Sequence, residues 1–186
     1  MPRLPEMVST PRLELRVPRA DDAADLNRAT TESFTELNRW MPWAAEAPTL
    51  DDTRTFCEES RRQWRADEAY AVLMIPHDGG RVLGATGFPT VDWDVPRFEI
   101  GYWCSTAYTG RGYVSESVRA LTKLAFKNLR AARVEIRMDD RNERSWRVAE
   151  RLGFSLEGVL RRDARDNRGS LRDTRIYALN RLRSFS

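Results

Sequence analysis

The sequence predicts an α/β (α+β) fold: one mixed, mostly antiparallel central sheet with helices on both faces. Three observations carry this. Arg12–Val17 and Arg133–Met138 alternate apolar and charged residues, the pattern of half-buried strands. The strands before residue 98 are joined by short turns, which pair them antiparallel. Residues 98–138 read as strand, helix, strand, which calls for a right-handed parallel crossover.

The elements follow in order. Residues 1–8 read as a flexible arm, and residues 9–183 as a single domain with no repeat or linker. After the strand Arg12–Val17, Asp21–Leu37 reads as helical and ends at the turn Trp40-Met41-Pro42-Trp43. Thr49 or Asp51 can cap a second helix running to about Trp64, since short polar oxygens satisfy free backbone N–H groups there. Strands at Tyr70–Pro76 and Val82–Phe88 flank the turn His77-Asp78-Gly79-Gly80, and a loop at Val91–Pro96 precedes the strand Phe98–Cys104. Val114, Val118, Leu121, Leu124 and Ala125 recur at helical spacing. Asn142 caps a short helix after the strand Arg133–Met138, and Gly153 stops it. Phe154–Leu160 and Leu171–Leu179 complete the sheet around an exposed linker, Arg161–Ser170.

Composition narrows the function. The chain has 186 residues, enough to bury one core without disulfides. Its two cysteines, Cys57 and Cys104, read as ordinary reduced thiols of a cytoplasmic protein. No apolar run reaches the roughly 18 residues of a membrane span, and the N-terminus lacks the apolar stretch of a signal peptide. The net charge of +3 suits a polyanionic small ligand but is too weak to argue for nucleic acid. The only histidine, His77, lies in a turn, so no histidine triad or histidine-rich metal site is available.

Two stretches carry chemistry. In Thr109-Gly110-Arg111-Gly112-Tyr113-Val114, backbone N–H groups converge at a helix start, where the helix dipole favours an anion. The two glycines let a phosphate approach closely. Asn142-Glu143-Arg144-Ser145 begins the next helix at the end of the neighbouring strand, where open sheets bind ligands. On Phe98–Cys104, alternation places Glu99, Gly101 and Trp103 on one face and Phe98, Ile100 and Tyr102 on the other. Glu99 is then either a general base facing a cleft or one half of an ion pair with an arginine.

Together with Glu99-Ile100-Gly101-Tyr102-Trp103, Glu116, Ala149–Phe154 and Leu156-Glu157-Gly158, these stretches resemble the GNAT acetyltransferases. The similar branch is the RimJ/RimL ribosomal-protein N-acetyltransferases. The resemblance extends to Thr10-Pro11-Arg12-Leu13 and Arg172-Asp173-Thr174, so it covers about residues 9–180. The family's loop usually begins with Gln or Arg and ends with Gly or Ala, where this chain has Thr109 and Val114.

The resemblance implies the GNAT fold, with its one parallel strand pair splayed apart around acetyl-CoA and no metal. The pantetheine arm is expected on backbone groups near Trp103 and Cys104 and on Asn142, and the pyrophosphate on residues 109–114. It implies direct acetyl transfer to a primary amine, with Glu99 the candidate base and Ser145 the candidate proton donor to sulfur. An N-terminal α-amine, with a pKa of ~8 against ~10.4 for lysine, demands the weaker base. The RimJ/RimL resemblance makes a protein N-terminus the leading expectation. A small amine (antibiotic, polyamine or aminoacyl nucleotide) is an alternative, since Trp40 and Trp43 suit stacking on a ring. The same two tryptophans are candidates for a substrate mouth or a homodimer contact. A non-catalytic module that binds CoA or nucleic acid is the third reading.

Overall fold

A computed structural model describes residues 4–182. Within them lie β1 (Met7–Ser9), β2 (Leu13–Arg16), α1 (Ala23–Glu32), α2 (Phe34–Trp40), α3 (Leu50–Arg65), β3 (Tyr70–Pro76), β4 (Gly84–Asp92), β5 (Arg97–Cys104), α4 (Tyr113–Asn128), β6 (Arg133–Asp139), α5 (Glu143–Arg151), β7 (Ser155–Arg165) and β8 (Leu171–Leu179). The strands form one sheet in the order β1-β2-β3-β4-β5-β6-β8-β7. Its only parallel pair among the described residues is β5–β6. The mixed, mostly antiparallel sheet expected from the sequence is thus the architecture found.

Alternation along the strands sorts side chains onto two faces. On one face Phe98, Ile100, Val134 and Ile136 are buried beneath Val118, Leu121 and Ala125 of α4 and Val148 and Ala149 of α5. On the other face Leu73 and Ala85 pack against Ala23 and Leu26 of α1 and Cys57 of α3. Each fully buried side chain of this kind contributes about 1.5–3 kcal/mol relative to exposure. Thr49 caps α3, accepting from the Asp52 N–H at 3.1 Å while Asp52 accepts from the Thr49 N–H at 2.9 Å.

Three sequence expectations need correction. The arm at 1–8 is structured from Leu4 onward: Leu4 is buried and Met7–Ser9 pairs with Glu14–Arg16. An exposed row of N–H and C=O groups on β2 takes a strand partner there. Residues 1–3 and 183–186, including the expected domain end at 183, lie outside the described residues. The helix expected over Asp21–Leu37 is broken at Ser33, whose side chain turns away to accept from the Thr106 N–H at 3.0 Å.

The third correction is the exposed linker Arg161–Ser170. It is strand as far as Arg165, and only Asp166–Ser170 forms the turn. Its aspartates are held across the sheet, Asp163 by Arg137 at 3.5 Å and Asp166 by Arg141 at 3.2 Å, so this charge belongs to ion pairs. Two smaller differences concern β4, which runs on to Asp92, and the loop before β5, which is correspondingly short.

The β4–β5 ladder carries a register break. Gly87 pairs with Gly101 and Thr90 with Glu99, so Phe88 and Pro89 together oppose Ile100. Such a bulge bends its strand and increases the twist. Phe88 fills the core, and Pro89, which has no N–H to leave unpaired, lies over Gly101. Gly87 enters the bulge with φ +154°, and a Cβ there would overlap the Tyr70 carbonyl oxygen on β3. Gly87→Ala is therefore expected to destabilise the protein by about 3 kcal/mol or more, measured by urea unfolding. A loss below about 1 kcal/mol would show that β3 and β4 are free to move apart.

Candidate active site

β5 and β6 are paired only through Arg97–Arg133, Phe98–Val134 and Glu99–Glu135. Beyond Glu99, β5 continues to Cys104 against β4 alone, and β6 continues to Asp139 against β8 alone. The strands part immediately after the β4 bulge. Their facing backbone edges, Ile100–Cys104 and Ile136–Asp139, line a wedge-shaped opening without a strand between them. Backbone groups along such an edge bond an extended ligand as they would a strand.

The loop after β5 ends in a single helical turn, Thr106–Tyr108, and is tied to Ser33 through Ser105 and Thr106. The Thr109 hydroxyl donates to the Thr106 carbonyl at 3.0 Å, so this side chain folds back on the loop. Gly110 and Gly112 have φ +77° and +82°, a left-handed geometry that other residues adopt only under strain. Gly112 is the N-cap of α4 and supplies no side chain to cap it. The first N–H groups of α4 therefore point out of the helix end toward the loop, an arrangement that binds anions. Arg111 lies over the Tyr108 ring and donates to the Ala107 carbonyl, while Val114 packs on the core.

At the head of α5, Asn142 accepts from the Ser145 N–H at 3.2 Å and is the helix cap. Its amide nitrogen makes no hydrogen bond among the described residues and is free for a ligand. The Ser145 hydroxyl lies 3.0 Å from the Tyr102 hydroxyl, and Tyr102 also donates to the Ser145 carbonyl oxygen at 2.9 Å. Tyr102 thus ties the end of β5 to the start of α5 across the opening. Burial pushes its pKa up to about 12, against the opposing effect of the Ser145 bond, so the phenol stays protonated. Sequence reasoning placed Tyr102 on the correct face but gave it no role. The available signal was that a buried tyrosine hydroxyl needs a partner.

Glu99 is half-buried at the closed end of the opening, on the face shared with Trp103. It forms no hydrogen bond and no ion pair within 4.0 Å among the described residues. Burial raises its pKa above the usual carboxylate value, Arg137 and Arg97 pull it down, and Glu135 pushes it up. Glu135 itself is held by Arg133 at 2.7 Å. The Cys104 thiol, pushed up to about 11 by burial, is a poor nucleophile at neutral pH.

The structure places Trp40 and Trp43, the two candidates for a substrate mouth, in different surroundings. Trp40 donates to Glu36 at 3.2 Å and lies under Arg39, whereas Trp43, 52% exposed, packs against Trp103 with ring centroids 6.1 Å apart. The short turn after α2 separates the two indoles. Asn167, on the β7–β8 turn, donates to the carbonyls of Asn38 at 2.7 Å and Met41 at 2.9 Å. The hairpin tip and the Trp40–Trp43 segment thereby close one side of the site. Sequence reasoning missed this bond, because a turn asparagine carries no sign of a distant partner. His77 bonds the Thr10 carbonyl in its own turn. No group of side chains suited to a metal occurs among the described residues, and no helix there is long and apolar enough to cross a membrane.

The family model described as "Acetyltransferase (GNAT) domain" matches residues 12–155. The chain is 31% identical over 151 residues to the putative ribosomal N-acetyltransferase YdaF of Bacillus subtilis (strain 168), covering 80% of this chain and 81% of that protein. In fold it is similar to the microcin C7 self-immunity acetyltransferase MccE, solved with acetyl-CoA and AMP, with a TM-score of 0.88 at 23% identity, over 97% of this chain and 99% of that one. It is similar to the same degree, with a TM-score of 0.88 at 22% identity, to RimL, a ribosomal-protein α-N-acetyltransferase solved with coenzyme A, over 97% of this chain and 100% of that one. The chain belongs to the GNAT family of acetyltransferases and is an N-acetyltransferase.

Proposed function

We propose that the protein transfers an acetyl group from acetyl-CoA to the N-terminal α-amine of a protein, as the structurally similar RimL, an α-N-protein acetyltransferase, is named for doing. The observation that carries this reading is the wedge between β5 and β6, with a phosphate-type helix start at its open end and an unpaired carboxylate at its closed end. In this reading acetyl-CoA supplies an acyl group already activated by a thiol leaving group. Gly110, Arg111, Gly112, Tyr113 and Val114 offer backbone N–H groups to its pyrophosphate, with Thr109 bracing the loop. The edges of Trp103 and Cys104 and the Asn142 amide take the pantetheine arm. Both cysteines are free, in keeping with a reducing, cytoplasmic compartment.

The chemistry then divides among three groups. Glu99 accepts a proton from the amine, directly or through one water, so that the nitrogen lone pair attacks the thioester carbon. A backbone N–H near Trp103 stabilises the oxyanion. As the carbon–sulfur bond breaks, the Ser145 hydroxyl, held by Tyr102, donates toward the departing sulfur. The half-exposed Trp43 beside Trp103 favours a second reading, a small amine carrying a flat ring. Thiol release with N-terminal peptides, aminoglycosides, polyamines and aminoacyl nucleotides as acceptors separates the two.

Acetyl-CoA should raise the melting temperature, because a ligand bound only by the native state stabilises it. Gly112→Val, which forces a β-branched residue to positive φ, should remove most of that shift; an unchanged shift would put the phosphates elsewhere. Glu99→Gln should lower kcat by about 10- to 1000-fold and leave CoA affinity nearly unchanged. A base works only when deprotonated, so wild-type kcat should fall as pH drops through the raised pKa of Glu99. That acid limb should vanish in Glu99→Gln. Retention of full activity and of the same limb would assign the proton transfer to solvent.

Ser145→Ala should lower kcat by about 10- to 100-fold with CoA affinity retained, since CoA thiolate leaves tolerably unaided. Asn142→Ala should instead raise the KM for acetyl-CoA and cost about 1 kcal/mol of stability through the lost cap. Equal loss of CoA affinity in both variants, measured by calorimetry, would make Ser145 a cofactor contact only.

A further inference from the structure

The conformation of the Gly110–Gly112 loop is held from outside by a residue far away in sequence. Arg12, in the turn between β1 and β2, reaches across to α4. Its Nε donates to Glu116 Oε2 at 2.6 Å, and its Nη1 donates to the Arg111 carbonyl oxygen at 2.9 Å. The guanidinium lies 4.6 Å over the Tyr113 ring. Its Nη2 sits 3.3 Å from where a Cβ of Gly112 would be. One planar cation therefore touches three consecutive residues, Arg111, Gly112 and Tyr113. It is fixed in turn by Glu116, which also accepts from the Arg12 N–H at 2.9 Å and from the Thr10 hydroxyl at 2.7 Å.

The charges explain why such a brace is needed. Glu116 lies in the first turn of α4, where a carboxylate stabilises the helix dipole. The same carboxylate stands one turn from the N–H groups that an anion would use, and left bare it would repel a phosphate. Arg12 cancels that charge, and its Nη2 keeps its N–H groups on the loop side without a partner among the described residues. The Arg12 side chain is 46% exposed and that of Glu116 only 14%, so the cation faces outward and the carboxylate lies behind it.

We propose that Arg12 is a positioning residue for the donor substrate: it locks the phosphate loop into its binding shape and screens Glu116 from the ligand's phosphates. The proposal rests on the reading of residues 109–114 as the pyrophosphate site. It assigns the β1–β2 turn, on the opposite side of the chain's sequence, to donor recognition.

The test is the CoA dissociation constant, by calorimetry, for the wild type, Arg12→Ala, Glu116→Gln and the double variant, together with amide hydrogen exchange at Gly110–Tyr113 without ligand. Arg12→Ala should weaken CoA by about 10- to 100-fold, the size expected when a charge-assisted bond is lost. It should also speed loop exchange while leaving kcat at saturating acetyl-CoA unchanged. The double variant should bind CoA more tightly than Arg12→Ala, because removing the exposed carboxylate relieves the repulsion, and Arg12→Lys should recover part of the loss.

A wild-type constant in Arg12→Ala would overturn the proposal, as would losses that simply add in the double variant. Should Arg12→Ala fail to fold, Arg12→Lys and Glu116→Gln carry the same comparison, and unchanged loop exchange in both counts against the brace. Absence of CoA binding by the wild type would defeat the cofactor reading instead. Loop exchange in Arg12→Ala would then decide the brace on its own.

Discussion

One surplus residue in β4 governs how β5 and β6 meet. Because Phe88 and Pro89 stand against the single residue Ile100, the β4–β5 ladder bends at the point where β5 would otherwise continue beside β6. Antiparallel neighbours on the outer sides, β4 and β8, hold the two strands once they separate. The opening is therefore not a surface groove but a gap in the middle of the sheet, with hydrogen-bonding backbone on both walls. Tyr70–Phe88–Phe98, stacked edge to face, keep the bulge from collapsing on the core side.

Electrostatics on the sheet follow from the same layout. The chain is rich in arginine, yet much of that charge is taken up in pairs: Arg16 with Asp22, Arg133 with Glu135 and Glu157, Arg141 with Asp139 and Asp166, and Arg175 with Asp140. The exposed members of this set contribute little to stability individually, whereas Arg16 and Asp22, with side chains only 12% and 13% exposed, form a two-bond pair that is largely buried. Their effect near the site is selective. They leave Glu99 as a carboxylate without a direct partner beside the neutralised Glu135. Burial then sets the protonation of Glu99, with Arg137 and Arg97 acting from a distance.

Much of this was legible in the sequence. Period-two alternation located the strands at Arg12–Val17 and Arg133–Met138, the strands expected at Tyr70–Pro76 and Leu171–Leu179 match to the residue, and the glycines at 110 and 112 marked the loop with positive φ. Asn142 read as a cap and is one. What stayed hidden depends on contacts between distant segments. Pattern cannot show that Ser33 will break a helix to hold Thr106, or that Trp43 will choose Trp103 over Trp40. Thr10-Pro11-Arg12-Leu13 and Glu116 were both visible as parts of a family pattern, but nothing local ties residue 12 to residue 116. The bulge was missed because Phe88-Pro89 reads equally well as the end of a strand.

Asn167 joins two segments that lie far apart in the chain. The loop, the wedge edges and the capped helix come from residues 97–151, braced from outside by Arg12, β4 and β8. The opposite wall exists only when the β7–β8 turn reaches back to Asn38 and Met41, closing loops of 129 and 126 residues. Contacts between segments this far apart raise the contact order, which slows folding. The Asn167 amide is one tie of several on that wall, where Trp43 also packs on Trp103 and Ser33 accepts from the Thr106 N–H. The β7–β8 turn is a surface connection, the kind of segment that tolerates a change of length. The two sides of the opening therefore answer to different stretches of the chain, one to residues 97–151 and the segments that brace them, the other to a seam between the β7–β8 turn and the end of α2.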